Sequence, residues 1–138
     1  YVLAKDEDTG TLKNFALDRM SEVRMTQKSF VLPDDFDARE YYKGYLGVYH
    51  DQTKVETVRL KVWWKQRDYF RTLPLNETMR ETEVYDEWSI FECELAPTWE
   101  VEMELLQYND WVEVLAPEEL RNNMIEHAGN ILNLYKNS

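Results

Sequence analysis

The sequence predicts an α+β protein with two units in series. The part before Pro33 is rich in strand-like apolar segments, whereas the part after Gly47 alternates strand-like and helix-like segments. The charge distribution also changes between these parts. Residues 1–43 carry a net charge of −2, residues 44–75 a net of +3 and residues 76–138 a net of −12, which together make the −11 of the chain. The pattern and the charge therefore predict a strand-rich first unit and a second unit with a basic start and an acidic remainder.

The composition favours a folded protein of one ordinary domain or two very small ones. The chain has 138 residues, of which 43% are hydrophobic and 14% aromatic, enough to bury a core. It holds a single cysteine, Cys93, so it forms no internal disulfide bond, and a reducing, cytoplasmic location is expected. No apolar run approaches the roughly 18 residues that a membrane span requires, and no signal peptide opens the sequence, so no membrane partner is expected.

The first unit is predicted to begin with a β-hairpin. Tyr1–Asp6 and Thr11–Leu17 flank Asp8-Thr9-Gly10, which is typical of a tight turn. Met20–Thr26 is predicted as a third strand. Because the chain starts within a strand-like run, whose backbone groups need partners, we expect partner strands upstream of Tyr1.

A short linking segment is expected between the two units. Pro33-Asp34-Asp35 ends the strand pattern, and Asp37 followed by Glu40 is typical of the start of a helix, predicted over Ala38–Lys43. The predicted domain boundaries are 1–36 for the first unit, 37–47 for the linking helix and loop, and 48–138 for the second unit.

The second unit is predicted to follow the order strand, helix, strand, strand, helix, strand, with a further helix at the end. The predicted elements are, in order, Val55–Trp64, Lys65–Thr72, Met79–Tyr85, Trp88–Leu95, Thr98–Gln107, Trp111–Leu115 and a long helix opened by Pro117. This β-α-β-β-α-β order is the ferredoxin-like arrangement.

Side-chain periodicity assigns a buried face to three of these elements. On the first strand, one face is predicted to hold Val58, Leu60, Val62 and Trp64, and the other Arg59, Lys61 and Trp63. On the helix after Thr98 the predicted stripe is Trp99, Met103 and Leu106. On the last helix it is Leu120, Met124, Ile131 and Tyr135.

Catalytic signatures are not found in the sequence. Neither His50 nor His127 has a second histidine or cysteine at metal-ligand spacing, so no metal site is predicted. There is no Gly-rich phosphate loop and no nucleophile or zinc-protease motif. Cys93 alternates with Phe91 and Leu95, the ordinary setting of a buried, inert thiol. The carboxylates of Glu100, Glu102 and Glu104 are predicted to form a solvated face. The protein is therefore expected not to be an enzyme and to need no cofactor.

Two stretches combine cations with apolar or aromatic side chains. If the strand after the turn stays regular, Lys13, Phe15, Leu17 and Arg19 share one of its faces. The second stretch contains Arg59, Lys61, Trp63 and Arg67, and cations interleaved with rings suit phosphates and stacked bases. The ordinary alternative for both stretches is a strand or helix surface whose long cations are solvated.

The first stretch resembles the core of the WYL family. Tyr1-Val2-Leu3-Ala4, the turn, and Leu12-Lys13-x-Phe15-x-Leu17-Asp18-Arg19-Met20 follow that family's order, with Lys13 where the family pattern has arginine. Downstream, Phe36-Asp37-Ala38 and Leu46-Gly47-Val48 resemble the segment that follows WYL in bacterial regulators. Leu73-Pro74-Leu75 and the run from Val112 to Leu120-Arg121 resemble the C-terminal extension named WCX.

This resemblance implies a fold and a role. WYL proteins are typically bacterial transcription regulators with an N-terminal helix-turn-helix, a WYL domain with an Sm-like or SH3-like β-barrel, and the WCX unit. It implies that residues 1–36 are an incomplete barrel, with Tyr1, Lys13, Phe15 and Arg19 as a face for a nucleotide or nucleic-acid effector. It also implies a homodimer and contact with DNA through a helix-turn-helix that this sequence lacks.

Three hypotheses follow. The first is an effector-sensing and dimerisation region of a bacterial DNA-binding transcription regulator. The second is a dimerisation or interaction module without ligand response. The third is an RRM-like binder of single-stranded nucleic acid that uses Arg59, Lys61, Trp63 and Arg67, although no stretch matches the RRM signature and the acidic remainder repels phosphate.

Overall fold

The computed structural model describes residues 1–138 as a mixed α/β protein with two antiparallel sheets and four α-helices. The chain divides into two compact units, Tyr1–Lys43 and Gly44–Ser138, and each sheet lies within one unit. The elements, in chain order, are β1 (Val2–Lys5), β2 (Leu12–Phe15), α1 (Ala38–Tyr41), β3 (Glu56–Trp63), α2 (Trp64–Thr72), β4 (Arg80–Val84), β5 (Trp88–Leu95), α3 (Trp99–Leu106), β6 (Val112–Ala116) and α4 (Glu118–Lys136).

The first unit contains a two-stranded hairpin and one short helix. Strands β1 and β2 pair antiparallel, with Val2 opposite Phe15 and Ala4 opposite Lys13. Gly10 has φ +70°, a conformation that glycine adopts without steric cost and that closes the turn. At the start of α1 the side chain of Asp37 accepts a hydrogen bond from the backbone of Arg39 at 2.8 Å. Every residue of this unit is exposed or half-buried, so it has no fully buried core of its own.

Two predictions for the first unit are wrong. Strand β2 ends at Phe15, and a 3-10 turn covers Leu17–Arg19, so the regular strand face does not extend to Arg19. The predicted third strand at Met20–Thr26 is not a strand. Glu22 has φ +52°, in the left-handed region, which interrupts an extended run, and no second strand pairs with the backbone there.

The second unit is a four-stranded antiparallel sheet covered by helices on one face. The strand order is β4-β5-β3-β6, so β3 lies in the interior of the sheet between β5 and β6. From Val58 onward one face of β3 is buried, and it enters a core that includes side chains of α2, α3 and α4. These residues are Val58, Leu60 and Val62 on β3, Phe70 on α2, Val101 and Leu105 on α3, and Leu120 on α4.

The buried faces differ from the predicted ones at Trp64 and on α3. Trp64 is the first residue of α2 and is 56% exposed, because the chain turns from strand to helix there and the strand alternation stops. On α3 the buried side chains are Val101, Glu102 and Leu105, whereas Trp99 is exposed. The packing of α3 on the sheet selects a face rotated from the predicted one.

The last helix is packed along only part of its length. Leu120 is buried and Met124 packs against the core, as the apolar spacing predicts. Ile131 and Tyr135 belong to the same predicted stripe but are exposed. Among the four helices, none combines the length and apolar character that crossing a membrane requires.

Candidate ligand-binding surfaces

The hairpin of the first unit brings Lys13 and Phe15 to one face. Directly paired residues of neighbouring strands point to the same side of a sheet, so Lys13 and Phe15 share their face with Ala4 and Val2. Phe15 is partly exposed and Lys13 is exposed. The face therefore offers an apolar ring and a cation next to each other.

The cation of this face is already paired. Asp6, at the start of the turn, forms a short ion pair with the Lys13 ammonium through Oδ2, while its Oδ1 accepts from the backbone of Asp8 at 2.9 Å and of Thr9 at 3.1 Å. The hydrogen bond from Lys13, followed by the backbone bonds, lowers the pKa of Asp6 to about 2. An anionic ligand at Lys13 would therefore compete with the Asp6 carboxylate.

The other two predicted ligand residues lie outside the regular strands. Tyr1 is exposed and precedes β1, so strand alternation places it with Leu3 rather than with Lys13 and Phe15. Arg19 is exposed at the end of the 3-10 turn, where only its backbone N–H bonds to the carbonyl of Ala16 at 3.1 Å. The structure thus brings two of the four predicted residues, Lys13 and Phe15, to the same face. The guanidinium of Arg19 forms no ion pair with a carboxylate.

The open face of the second sheet, opposite the helices, is the second candidate surface. There Arg59 is bound by two carboxylates, Glu83 at 2.7 Å and Glu92 at 3.5 Å, and Glu92 also receives Arg80 at 3.1 Å. This part of the face is an internally balanced ion-pair ladder across β3, β4 and β5. It has little uncompensated positive charge for a phosphate group.

Lys61 lies in an aromatic cluster at one end of the open face. Its ammonium is 4.8 Å from the ring centroid of Trp63 and 4.4 Å from that of Trp88. The ring of Tyr85 lies 4.0 Å from that of Trp88. Trp63 and Trp88 face each other across β3 and β5, and Lys61 precedes Trp63 by two residues on the same face. Cation–π contact of this kind stabilises an ammonium group next to a ring.

The fourth residue of this set, Arg67, binds the protein itself. On α2 its guanidinium donates to the carbonyl of Tyr85 at 2.7 Å and to that of Asp86 at 3.4 Å. It thereby fixes the turn between β4 and β5. The structure brings Arg59, Lys61 and Trp63 onto one face, as predicted, and assigns Arg67 a contact that holds the turn next to Trp88.

Sequence reasoning missed a buried polar cluster between α3 and α4. Glu102 is 9% exposed; its Oε1 accepts from Asn123 at 2.8 Å and its Oε2 lies 2.8 Å from Nε2 of His127. The prediction that Glu102 belongs to a solvated acidic face is therefore wrong. No local signal identifies the pair, because the partners lie 21 and 25 residues further along the chain.

The chemistry-bearing groups of the core are inert in this arrangement. Burial raises the pKa of the Cys93 thiol to about 12, so the thiolate needed for nucleophilic attack does not form at neutral pH. Burial, with a hydrogen bond to Glu104, also raises the pKa of Tyr108. The structure contains no group of three or more histidine, cysteine or carboxylate side chains placed to hold a metal ion.

The second unit contains the region by which the chain can be classified. Residues 54–132, which span the sheet and most of α4, match the WCX domain. The chain belongs to the WCX domain family. A comparison with curated proteins finds no match.

Among solved structures the WCX-containing chain is similar to the proteasome accessory factor B/C (PafBC) of Arthrobacter aurescens. The sequences are 21% identical and the TM-score is 0.41. The similarity covers 89% of this chain but 18% of that protein, so the chain spans about a fifth of the length of its structural relative.

Proposed function

We propose that this chain is the effector-sensing and dimerisation region of a bacterial DNA-binding transcription regulator. The observation that carries the proposal is the WCX domain at residues 54–132. It follows, further up the chain, a hairpin of β1 and β2 whose residues resemble the WYL pattern. WYL and WCX units occur together in such regulators. The proposed role is therefore regulatory.

The architecture proposed for this role has three parts. The first is a partial WYL barrel at residues 1–36, the second a linking segment at residues 37–47, and the third a ferredoxin-like WCX extension at residues 48–138. The β4-β5-β3-β6 order with antiparallel neighbours supports the ferredoxin-like arrangement. The absence of fully buried side chains in Tyr1–Lys43 supports an incomplete barrel, since a complete one would bury its inward face.

The effector is a nucleotide or short single strand, bound at the hairpin by Phe15, Lys13 and Arg19 with Tyr1 at the edge. Arg19 carries the exposed guanidinium, whose planar fork suits phosphate oxygens. Lys13 contributes after its ion pair with Asp6 opens. Phe15 supplies a ring on which a base can stack.

Arg19→Ala tests this assignment, with Lys61→Ala as the matched control on the other surface. The probe is a fluorescein-labelled single-stranded DNA oligonucleotide, followed by fluorescence anisotropy in the intact protein that contains this chain, with unlabelled mononucleotides as competitors. Loss of one charge-assisted contact should weaken binding roughly ten- to a hundredfold. Added salt should weaken the parent more than Arg19→Ala, because the variant has one phosphate contact fewer.

A second candidate function has its own observation. The Trp63, Trp88 and Tyr85 rings with Lys61 form a stacking surface on an open sheet face, as an RRM-like binder of single-stranded nucleic acid would need. If Lys61→Ala loses oligonucleotide binding while Arg19→Ala keeps it, the ligand surface is in the second unit. If neither change matters and the parent binds no probe, a dimerisation module without ligand response remains.

A further inference from the structure

Four of the five tryptophans of the chain lie at one end of the second sheet. Trp63 ends β3 and pairs directly with Trp88, the first residue of β5. On the other side of β3, Val62 pairs with Val112. The next residues along these two strands are Trp63 and Trp111, so Trp111 lies beside Trp63 just before β6 begins. We call these three residues, together with Trp64 at the start of α2, the tryptophan row.

Two lysines lie over the rings of the tryptophan row. The Lys61 ammonium is 4.4 Å from the ring centroid of Trp88. The Lys65 ammonium is 5.3 Å from that of Trp111 and 5.8 Å from that of Trp64. Neighbouring strands are about 4.8 Å apart, so Trp88 and Trp111, on the two sides of β3, are separated by about 10 Å along the backbone. The row therefore spreads two cations and several rings over roughly that distance.

The nearby carboxylates are neutralised by arginines rather than by these lysines. Glu113 is the strand partner of Lys61, yet its carboxylate binds Arg121 at 3.0 Å. Further along the same face, Arg59 binds two carboxylates of the neighbouring strands. Lys61 and Lys65 contact rings, and neither forms an ion pair with a carboxylate. Two positive charges therefore remain unneutralised beside the rings, although the chain carries a net charge of −11.

This combination of groups selects the ligand. An unneutralised ammonium attracts an anion, and an exposed indole such as that of Trp64, which is 56% exposed, offers a flat apolar surface. Every unit of a single-stranded nucleic acid carries both a phosphate and a flat base, whereas an acidic protein segment carries no ring in each unit. An exposed cation–π contact is weaker than base–aromatic stacking, so an arriving base can displace the ammonium and leave it free for a phosphate.

We infer that the tryptophan row binds a single-stranded nucleic acid of about four nucleotides or more, which contacts both lysines at once. This inference rests on the second candidate function and extends its site from the cluster around Lys61 to Trp111, Trp64 and Lys65. A mononucleotide is too short to reach both lysines. Binding by the row should therefore increase with the length of the strand.

Fluorescence anisotropy of labelled dT8, at low salt and with the 138-residue chain, tests the inference. Lys65→Ala should weaken binding roughly three- to tenfold and lower the salt slope by about one. Trp64→Ala should weaken it roughly five- to a hundredfold, because a stacking surface is lost, and Trp64→Phe should retain most of the affinity. Asp110→Asn removes an exposed negative charge next to Trp111 and should strengthen binding roughly two- to threefold.

The opposite end of the sheet supplies matched controls. Lys54 is exposed just before β3, and Trp99 is 63% exposed just after β5. Glu56 pairs with Leu95 at that end, whereas the row lies at the other end of both strands. Lys54→Ala and Trp99→Ala should therefore bind dT8 like the parent, and losses equal to those of Lys65→Ala and Trp64→Ala would contradict the assignment to the row.

Three competitors separate length, stacking and charge. Unlabelled dT2 should compete at least tenfold more weakly than dT8. An abasic strand of eight units keeps the phosphates but has no bases, and it should also compete at least tenfold more weakly. Polyglutamate of similar charge should compete poorly. Equal competition by the abasic strand would show that charge alone binds, and equal competition by polyglutamate would identify the row as a surface for acidic protein segments, so either result overturns the inference.

The variants also separate this inference from the proposed functions. If Lys61→Ala loses binding while Lys65→Ala and Trp64→Ala bind dT8 like the parent, the extended row is wrong and the second candidate function stands with its smaller site. If Arg19→Ala alone loses binding, the row and the second candidate function are both wrong and the hairpin site stands. A parent that binds no strand at low salt also overturns the row and the second candidate function.

Discussion

Glu102 shows how a single buried carboxylate can join two helices. It projects from α3 and is almost fully covered, and both its oxygens are bonded to side chains of α4, Asn123 and His127. A buried polar group is tolerated when its hydrogen bonds are satisfied, and is costly when they are not. The cluster therefore fixes the position from which the exposed part of α4 extends.

Replacing Glu102 by alanine should lower the free energy of unfolding by about 1–3 kcal/mol, because Asn123 and His127 lose their common partner. Chemical denaturation followed by tryptophan fluorescence measures the change. Glu100→Ala is the matched control on the same helix, since one oxygen of Glu100 is buried without a partner and its removal sacrifices no hydrogen bond at that atom. Equal losses in the two variants would show that the cluster does not stabilise the fold.

At the scale of the element, the hairpin turn depends on the charge of Asp6. Its carboxylate accepts two backbone N–H groups of the turn and pairs with Lys13, which connects the loop to β2. The pairing with Lys13 requires the ionised carboxylate, and the backbone hydrogen bonds are stronger to the ionised form than to the neutral one. The hairpin has few other constraints, because none of its side chains is fully buried.

Acidification should loosen this hairpin before the rest of the protein responds. The hydrogen bond from Lys13 lowers the pKa of Asp6 from 3.8 to about 2 in the folded chain. A group whose pKa is lower in the folded than in the unfolded chain stabilises the folded form at pH values above its unfolded pKa. The contribution of Asp6 to the stability of the hairpin is therefore complete above about pH 4 and is lost as the pH falls through about 2. NMR titration of the Asp6 carboxyl carbon and the Thr9 amide should give a common midpoint near that value.

Asp6→Asn provides the control for this titration. The amide oxygen of asparagine can still accept the backbone bonds of the turn, but it does not titrate and does not attract Lys13. The Thr9 amide signal should then be independent of pH in this range. A titration of Thr9 that persists in the variant would assign the effect to another group.

At the scale of the whole molecule, the two units differ in how much they bury. The second unit has a continuous core in which β3 contributes three side chains with no exposure. The first unit has no fully buried residue and leaves Met25, Phe30 and Val31 almost entirely exposed. Local stability follows buried apolar contact, so the units should open independently.

Hydrogen exchange followed by mass spectrometry should resolve this difference. Backbone amides of β3 and β5 should exchange only on global unfolding of the second unit, whereas those of β1 and β2 should exchange by local opening, at least about a hundredfold faster. Addition of an oligonucleotide that binds the hairpin should slow β1 and β2 selectively. Equal protection of the β1–β2 amides and the β3–β5 amides in the free chain would contradict the burial difference.

Much of the second unit was predictable from local pattern. The order of strands and helices after Gly44 is the predicted one, β5 has the predicted ends, and Val58, Leu60 and Val62 are buried as the alternation indicates. Strand alternation and helix signals such as Pro117 act over a few residues, so sequence alone contains them. The irregular region after Met20 was not predictable, because an apolar run becomes a strand only when another strand pairs with its backbone.

What only the tertiary structure decided is which surface each element covers. The apolar residues of α3 permit more than one buried face, and packing on the sheet selected Val101, Glu102 and Leu105 over Trp99. The same holds for the site residues. The sequence by itself determined that cations and rings alternate along β3, but strand pairing with β4 and β5 determined that Arg59 meets Glu83 and that Lys61 meets Trp88. The physical reason is that periodicity is set by neighbours along the chain, whereas neutralisation, burial and exposure are set by partners distant in sequence.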